Sequence, residues 1–403
     1  MKLLRFIVLL VGVSIPLSSI ALEIGGGSFM SIGFMASILY FVCIIPFLTK
    51  GFNLTKTYGK TLTMPLLFLL ILTISNFLYS CEAPDIPVFS NSIFLCYVLM
   101  CLLLIHSMID KDATQFCLWG FSLGCCFVSV VFWIINGISV LDERTTFLDE
   151  NANELGIFMS IGLMIIYNDF ILHDKLQWGV FRFLFIIPCI LLISVLLGTA
   201  SRTAFIILVL FAVLCVLFYP AKNKIAKGIV LLIGTIIIIA GFAYMLNNAD
   251  NFLIVSRLFE AKDDNLSGRS SIWQALLPHI MDHPIIGVGQ TGYVRVANDV
   301  LNHTKTIGNI TYGFSPHNVI IEVALYTGLI GLTCWIIFWS GIFKKSILCY
   351  KYTRNFMPIL LLLPIIASIL SGQILASKWG YMLYAYILST YMQVQQDELK
   401  PSI

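Results

Sequence analysis

Three short stretches carry the side chains best suited to handling a phosphate or a hydroxyl group. They are Thr199-Ala-Ser-Arg202-Thr, Gly268-Arg269-Ser-Ser-Ile-Trp273 and Ser315-Pro316-His317-Asn318. Arginine's planar fork donates to two oxygens at once and stays charged at any relevant pH, which suits a diphosphate. Arg202 opens an apolar run, where free helix N–H groups and the positive end of the helix dipole also favour an anion. A snorkelling interfacial arginine has the same signature, so Arg202 gains weight from its company. Ser315 and Pro316 are helix-start signals that predict His317 in the first turn of a helix. The positive helix end disfavours an imidazolium there, leaving His317 available as a neutral base or hydrogen-bond acceptor. Arg269 is the second cation, with Arg257 and Arg295 weaker candidates. Asn318, Asn153, Trp273, Gln290 and Lys378 complete the candidates for contacting a diphosphate or a sugar; Asn151, Asn153 and Glu154 open one apolar run and Lys378 another, and all of these equally suit helix capping and anchoring.

Other chemistry fails on context. Gly287-Val-Gly289-Gln-Thr-Gly292 matches the dinucleotide fingerprint, but no strand–helix–strand pattern surrounds it and no acidic residue follows at the required distance. It reads as a tight turn where backbone approaches something closely. Asp263-Asp264 has no supporting His or third carboxylate for a metal and reads as a solvated turn. The eleven cysteines form no C-x-x-C pair, and most sit in apolar stretches as small apolar residues. No metal and no cofactor is expected.

These stretches must be positioned in lipid. Hydrophobic residues make up 59% of the 403 and charged residues only 11%, with mean hydropathy +0.94. A soluble protein needs roughly a quarter of its residues charged, so a soluble enzyme, a disordered scaffold and a nucleic-acid-binding module are excluded; the net charge of +3 contains no basic run. About twelve apolar stretches approach the ~20 residues a crossing helix needs: 4–22, 28–48, 63–80, 88–108, 113–136, 154–172, 180–198, 201–220, 227–246, 317–343, 356–374 and 376–393. The first could instead be a signal peptide ending near Ser19-Ile20-Ala21. Placing both termini in the cytoplasm gathers 16 of the 24 Lys and Arg on that side, as the positive-inside rule requires. The expectation is an all-α polytopic membrane protein of about twelve transmembrane helices. Helices 1–9 fall in 1–246, a large extracytoplasmic loop subdomain in 247–316, helices 10–12 in 317–393 and a cytoplasmic tail in 394–403. A loop that long usually has a role, and Ser270–Met281 within it reads as a short helix with Trp273 at headgroup level.

Together, Ser201-Arg202 at a helix start, GRSSIW, HPIIGVGQTGY and PHNVIIEVALYTGLIGL resemble the O-antigen ligase family, which includes Wzy-type polysaccharide polymerases and protein O-oligosaccharyltransferases. The resemblance implies a C-type glycosyltransferase fold. It also implies inverting, metal-independent transfer from an undecaprenyl-diphosphate-linked glycan at the periplasmic face of the bacterial inner membrane. It carries diphosphate binding onto Arg202 and Arg269 and the base onto His317. Lipid A–core or another glycan is then the acceptor; ligation is the first expectation, polymerisation the second and a lipid-linked glycan transporter a distant third. A transporter would place broken helices or ionisable groups at mid-membrane, whereas here the titratable groups are expected mainly at one face, with Glu322 the exception.

Overall fold

The computed structural model describes the chain apart from residues 1, 19–20, 25–27, 89–90, 138–145, 147–150, 220–223, 249–251, 260–268, 303, 308–309, 373 and 399–403. Asp263, Asp264 and most of the possible cleavage site therefore lie outside the described residues. In chain order the first helices are α1 (Lys2–Ser14), α2 (Ile32–Ile44), α3 (Phe52–Leu78), α4 (Asn91–Ile109), α5 (Ala113–Asn136), α6 (Ala152–Ile165), α7 (Ile186–Gly198) and α8 (Arg202–Leu217). There follow α9 (Lys224–Asn247), α10 (Leu253–Phe259), α11 (Arg269–Asp282), α12 (Gly289–Leu301), α13 (Val319–Thr353), α14 (Met357–Leu360), α15 (Leu362–Ser371) and α16 (Lys378–Glu398). Two small antiparallel hairpins complete the fold, β1 (Ala21–Ile24) with β2 (Ser28–Ser31) and β3 (Thr304–Ile307) with β4 (Ile310–Gly313).

The architecture is that of an all-α polytopic membrane protein. All twelve apolar stretches read from the sequence contain helix, and eight among the described residues are long and apolar enough to cross a membrane. The other four fall short for physical reasons. The 13 residues of α1 rise only about 20 Å, against a hydrocarbon core of about 30 Å. Arg202–Leu217 and Met357–Ser371 are likewise short, and α16 ends in the polar run Gln393–Glu398.

The chain divides into two compact units. The first comprises residues 1–43, 112–262 and 353–364. In it α1 lies against α5 so closely that a Cβ on Gly12 or Gly120 would fall 2.0 Å from a backbone carbonyl oxygen of the other helix; small residues are what allow helices this near. At the far end of α6, which continues as a π-helical stretch over Ile166–Leu172, the buried carboxylate of Asp169 accepts from Gln115 and, at 2.8 Å, from the Trp119 indole, and pairs with Lys175 at 2.9 Å. Burying a charge without such partners would cost several kcal/mol. His106 and Asp110 are buried as well as Asp169, so Glu322 has company among the few buried ionisable groups.

The second unit comprises residues 44–111, 263–352 and 365–403, so the 247–316 loop is shared between the units. Here α13 is broken at Gly328, whose φ of 62° and ψ of −164° belong to a region open essentially to glycine alone. The backbone of 284–288 fills the break. Val288 N donates to Leu325 O at 2.8 Å, Leu329 N to Pro284 O at 2.8 Å and Ile330 N to Ile285 O at 3.4 Å. Ser75 of α3 donates to Ile286 O. A Cβ on Gly328 would sit 2.4 Å from the Ile285 carbonyl. Gly328→Ala is therefore expected to destabilise the protein by roughly 2–6 kcal/mol, combining backbone strain and overpacking. Gly241→Ala in α9, where a Cβ meets nothing within 4 Å, should be neutral or slightly stabilising. Thermal unfolding of the two variants in detergent tests the contrast.

Candidate functional site

His317 is the centre of the second unit's polar chemistry. It does not occupy the first turn of a helix: α13 starts at Val319, and Asn318 is its cap, accepting from Ile320 N at 2.9 Å and Ile321 N at 3.3 Å through Oδ1. The cap expected at Ser315 is corrected accordingly; the Ser315 hydroxyl instead accepts from His317 N at 3.2 Å. His317 stands just outside the helix in a left-handed conformation, φ 52°, which is uncommon for a side chain of its size. Gly372, itself at φ 80°, lies against it so closely that a Cβ there would be 2.6 Å from His317 Cα.

The loop helices hold this turn from the other side. Trp273 of α11 donates its indole N–H to Pro316 O at 2.8 Å, and Tyr293 of α12 donates its hydroxyl to Phe314 O at 2.6 Å. Burial keeps that hydroxyl's pKa above its ordinary value, so it remains a donor. The Tyr293 ring passes directly over Gly313, where a Cβ would be 2.6 Å from its Cδ1. The Phe314 ring meets the imidazole edge-on, centroids 5.5 Å apart. Below them, Tyr326 hydrogen-bonds Glu322, whose other oxygen is buried without a hydrogen-bond partner.

Burial and, second, the positive charge of Arg269 hold the pKa of His317 below its usual 6.5. The sequence reading expected a neutral imidazole from a helix dipole; the structure supplies desolvation and a cation instead. The second unit thus brings His317, Arg269, Trp273 and Asn318 together. Gln290 opens α12, its N–H donating to Asn76 Oδ1 of α3 at 2.6 Å, and Asn76 also accepts the Thr291 hydroxyl on its carbonyl at 3.1 Å. Gly289, at φ 69°, allows the contact: a Cβ there would be 2.6 Å from Asn76 Oδ1. The close approach read from Gly287–Gly292 is therefore onto Asn76 and the α13 break. Lys378 begins α16, two residues after Ala376, whose carbonyl accepts from the Cys96 thiol of α4 at 3.4 Å. Arg295 pairs with Glu82 and Asp299 on an exposed surface.

Arg202 and Asn153 belong to the first unit. Ser201 caps α8, accepting from Ala204 N at 3.3 Å, which sets Arg202 at the first helical position, half-buried. Asn151 caps α6 by accepting from Asn153 N at 2.9 Å. Gly156, three residues beyond Asn153, packs on Thr199, Ser201 and Ala204, so the mouths of α6 and α8 are neighbours. Arg257 of α10 donates to Ala200 O at 2.6 Å, pinning a buried residue in the left-handed conformation, φ 47°. Among the described residues no three His, Cys, Asp or Glu side chains are grouped to hold a metal.

Sequence reasoning missed Tyr293 and Asn76. Tyr293 ended the HPIIGVGQTGY stretch, which carried the family resemblance without giving this residue a role; Asn76 was a lone amide in an apolar run, and that was its available signal.

The fold and site are those of a multi-pass membrane protein with a structured polar loop packed onto its helices. Residues 187–336 match the family model described as O-Antigen ligase. The match takes in Arg202, Arg269, Trp273, Gln290, His317 and Asn318. No curated protein matches the chain.

Because Arg269 disfavours the imidazolium, Arg269→Gln should raise the pKa of His317 towards, without reaching, its ordinary value; burial remains. Histidine NMR titration of the protein in nanodiscs, with His317→Ala to assign the signal, checks the direction.

Proposed function

We propose that the protein transfers a glycan from undecaprenyl diphosphate to an acceptor hydroxyl at the periplasmic face of the bacterial inner membrane, its termini cytoplasmic, and that the acceptor is lipid A–core. The observation that carries this reading is a neutral imidazole, His317, presented on a strained turn beside the Arg269 guanidinium within the family-matched segment.

The chemistry follows from those groups. The acceptor oxygen attacks the anomeric carbon from the face opposite the diphosphate, with inversion. Its proton passes to the imidazole of His317, and the bond between the anomeric carbon and the phosphate oxygen breaks. Negative charge accumulates on the leaving lipid diphosphate, where Arg202 and Arg269 stabilise it. General-base catalysis typically contributes 10²–10⁴-fold. Arg202 at the α8 N-terminus adds the helix-end N–H groups to its own charge. Asn153, Gln290, Asn318 and Lys378 are proposed to contact sugar or phosphate. No metal is required, because the arginines do the work a divalent ion would otherwise do.

A broken helix is also a transporter feature. In α13, however, the break is occupied by backbone from 284–288, which favours an enzyme over a carrier pathway.

The reading is tested in a deletion strain complemented with wild type or variants, combined with transfer assays in nanodiscs. Wild type should restore long glycan chains on lipid A–core and remain active in EDTA. His317→Ala should lose about 10²–10⁴-fold of transfer, and Arg202→Ala about 10²–10³-fold. Core carrying a single repeat unit in the deletion strain would instead make the protein a polymerase. Full activity of Arg202→Ala would remove that residue from the mechanism.

A further inference from the structure

We infer that Tyr293 and Trp273 are positioning residues for His317: from two different loop helices they hold, by single hydrogen bonds, two of the three backbone carbonyls that precede it in the Phe314–His317 turn. The inference rests on the proposed role of His317 as the base, and deepens it.

Four observations converge on this turn. The Tyr293 hydroxyl reaches Phe314 O at 2.6 Å, and the Trp273 indole N–H reaches Pro316 O at 2.8 Å. His317 sits in a left-handed conformation, and such conformations persist only when their surroundings over-determine them. Gly372 closes the far side by backbone contact with His317 Cα. The two clamping side chains are fixed in turn. Tyr293 is 1% exposed, seated on Gly313 and edge-on to Tyr326 at 5.4 Å. Its helix, α12, is tied at its start to Asn76. Trp273 lies one turn beyond Arg269 on α11, so a single helix carries both the cation whose charge adds to burial in disfavouring the imidazolium of His317 and the donor that orients it.

The indole N–H that a sugar hydroxyl would otherwise engage is already committed to Pro316. The role assigned here to Trp273 is therefore orientation of the base. A general base must lie within hydrogen-bond reach of the proton it removes, and a misplacement of about 1 Å can cost on the order of 10²-fold in rate. Loss of one clamp leaves the binding groups in place while the imidazole samples other orientations.

The experiment uses the full chain in nanodiscs, with undecaprenyl-diphosphate-linked glycan extracted from the deletion strain as donor and lipid A–core of the same strain as acceptor. Tyr293→Phe removes one oxygen; Trp273→Phe removes the N–H and shortens the ring. Each should lower kcat by about 10- to 100-fold, with KM for donor and acceptor changing less than about threefold. The double variant should lose less than the product of the single losses, because both act on one turn. Hydrogen exchange should quicken in 314–318 of each variant. Unchanged kcat in Tyr293→Phe would overturn the inference, as would a loss residing in KM, which would make these side chains substrate ligands. If Trp273→Phe fails to fold, Tyr293→Phe alone decides. His317→Ala is assayed in parallel: if it stays active, the base assignment fails, whereas inactive His317→Ala beside fully active Tyr293→Phe means the positioning role alone is wrong.

Discussion

The satisfaction of backbone hydrogen bonds at the break in α13 is the constraint on which the second unit depends. A helix interrupted at Gly328 loses intrahelical partners on both sides, and in an apolar setting each unpaired group costs about 1–3 kcal/mol. The 284–288 segment supplies what is missing: Val288 N to Leu325 O, Pro284 O to Leu329 N and Ile285 O to Ile330 N. This exchange of backbone bonds ties the loop to the span at a fixed depth and register, and Ser75 attaches α3 to the same segment. The 284–288 segment is thereby a packed extension of the helices of the second unit.

From that anchor the site is built outward in short, rigid steps. Residue 289 begins α12 directly after the inserted segment, Asn76 caps it, and Tyr293 falls one turn along it. Just before the inserted segment, α11 carries Arg269 and Trp273. Both helices meet the turn preceding α13, the very helix whose break is filled by the 284–288 segment that joins them. The left-handed turn at His317 is held by the two helices that flank the segment filling the break.

Electrostatics follows from this packing. Burial and, second, the charge of Arg269 disfavour the imidazolium of His317, so the unprotonated ring is available as an acceptor while being a weaker base than an ordinary histidine. In the first unit Arg202 is set by the Ser201 cap, by the pinning of Ala200 through Arg257, and by the close approach of α6 at Gly156. Arg202 is thus placed by contacts at the residues just before it, which is a stiffer tether than its own flexible side chain.

Composition alone determined the class of protein, because 11% charged residues cannot cover a soluble surface. The positions of the apolar stretches were legible for the same reason: hydropathy over about 20 residues is a local property. So were Arg202 behind its Ser cap and the close backbone approach at Gly287–Gly292, since capping and glycine geometry are written in adjacent residues. The left-handed turn at His317, the break at Gly328 and the roles of Tyr293 and Asn76 were decided only by tertiary structure. Each depends on partners far away in the chain: Gly372 for His317, Ile285 for Gly328, Phe314 for Tyr293 and Gln290 for Asn76. A sequence states which residues can make such bonds. Which of them do is settled when packing brings donor and acceptor within 3 Å or so.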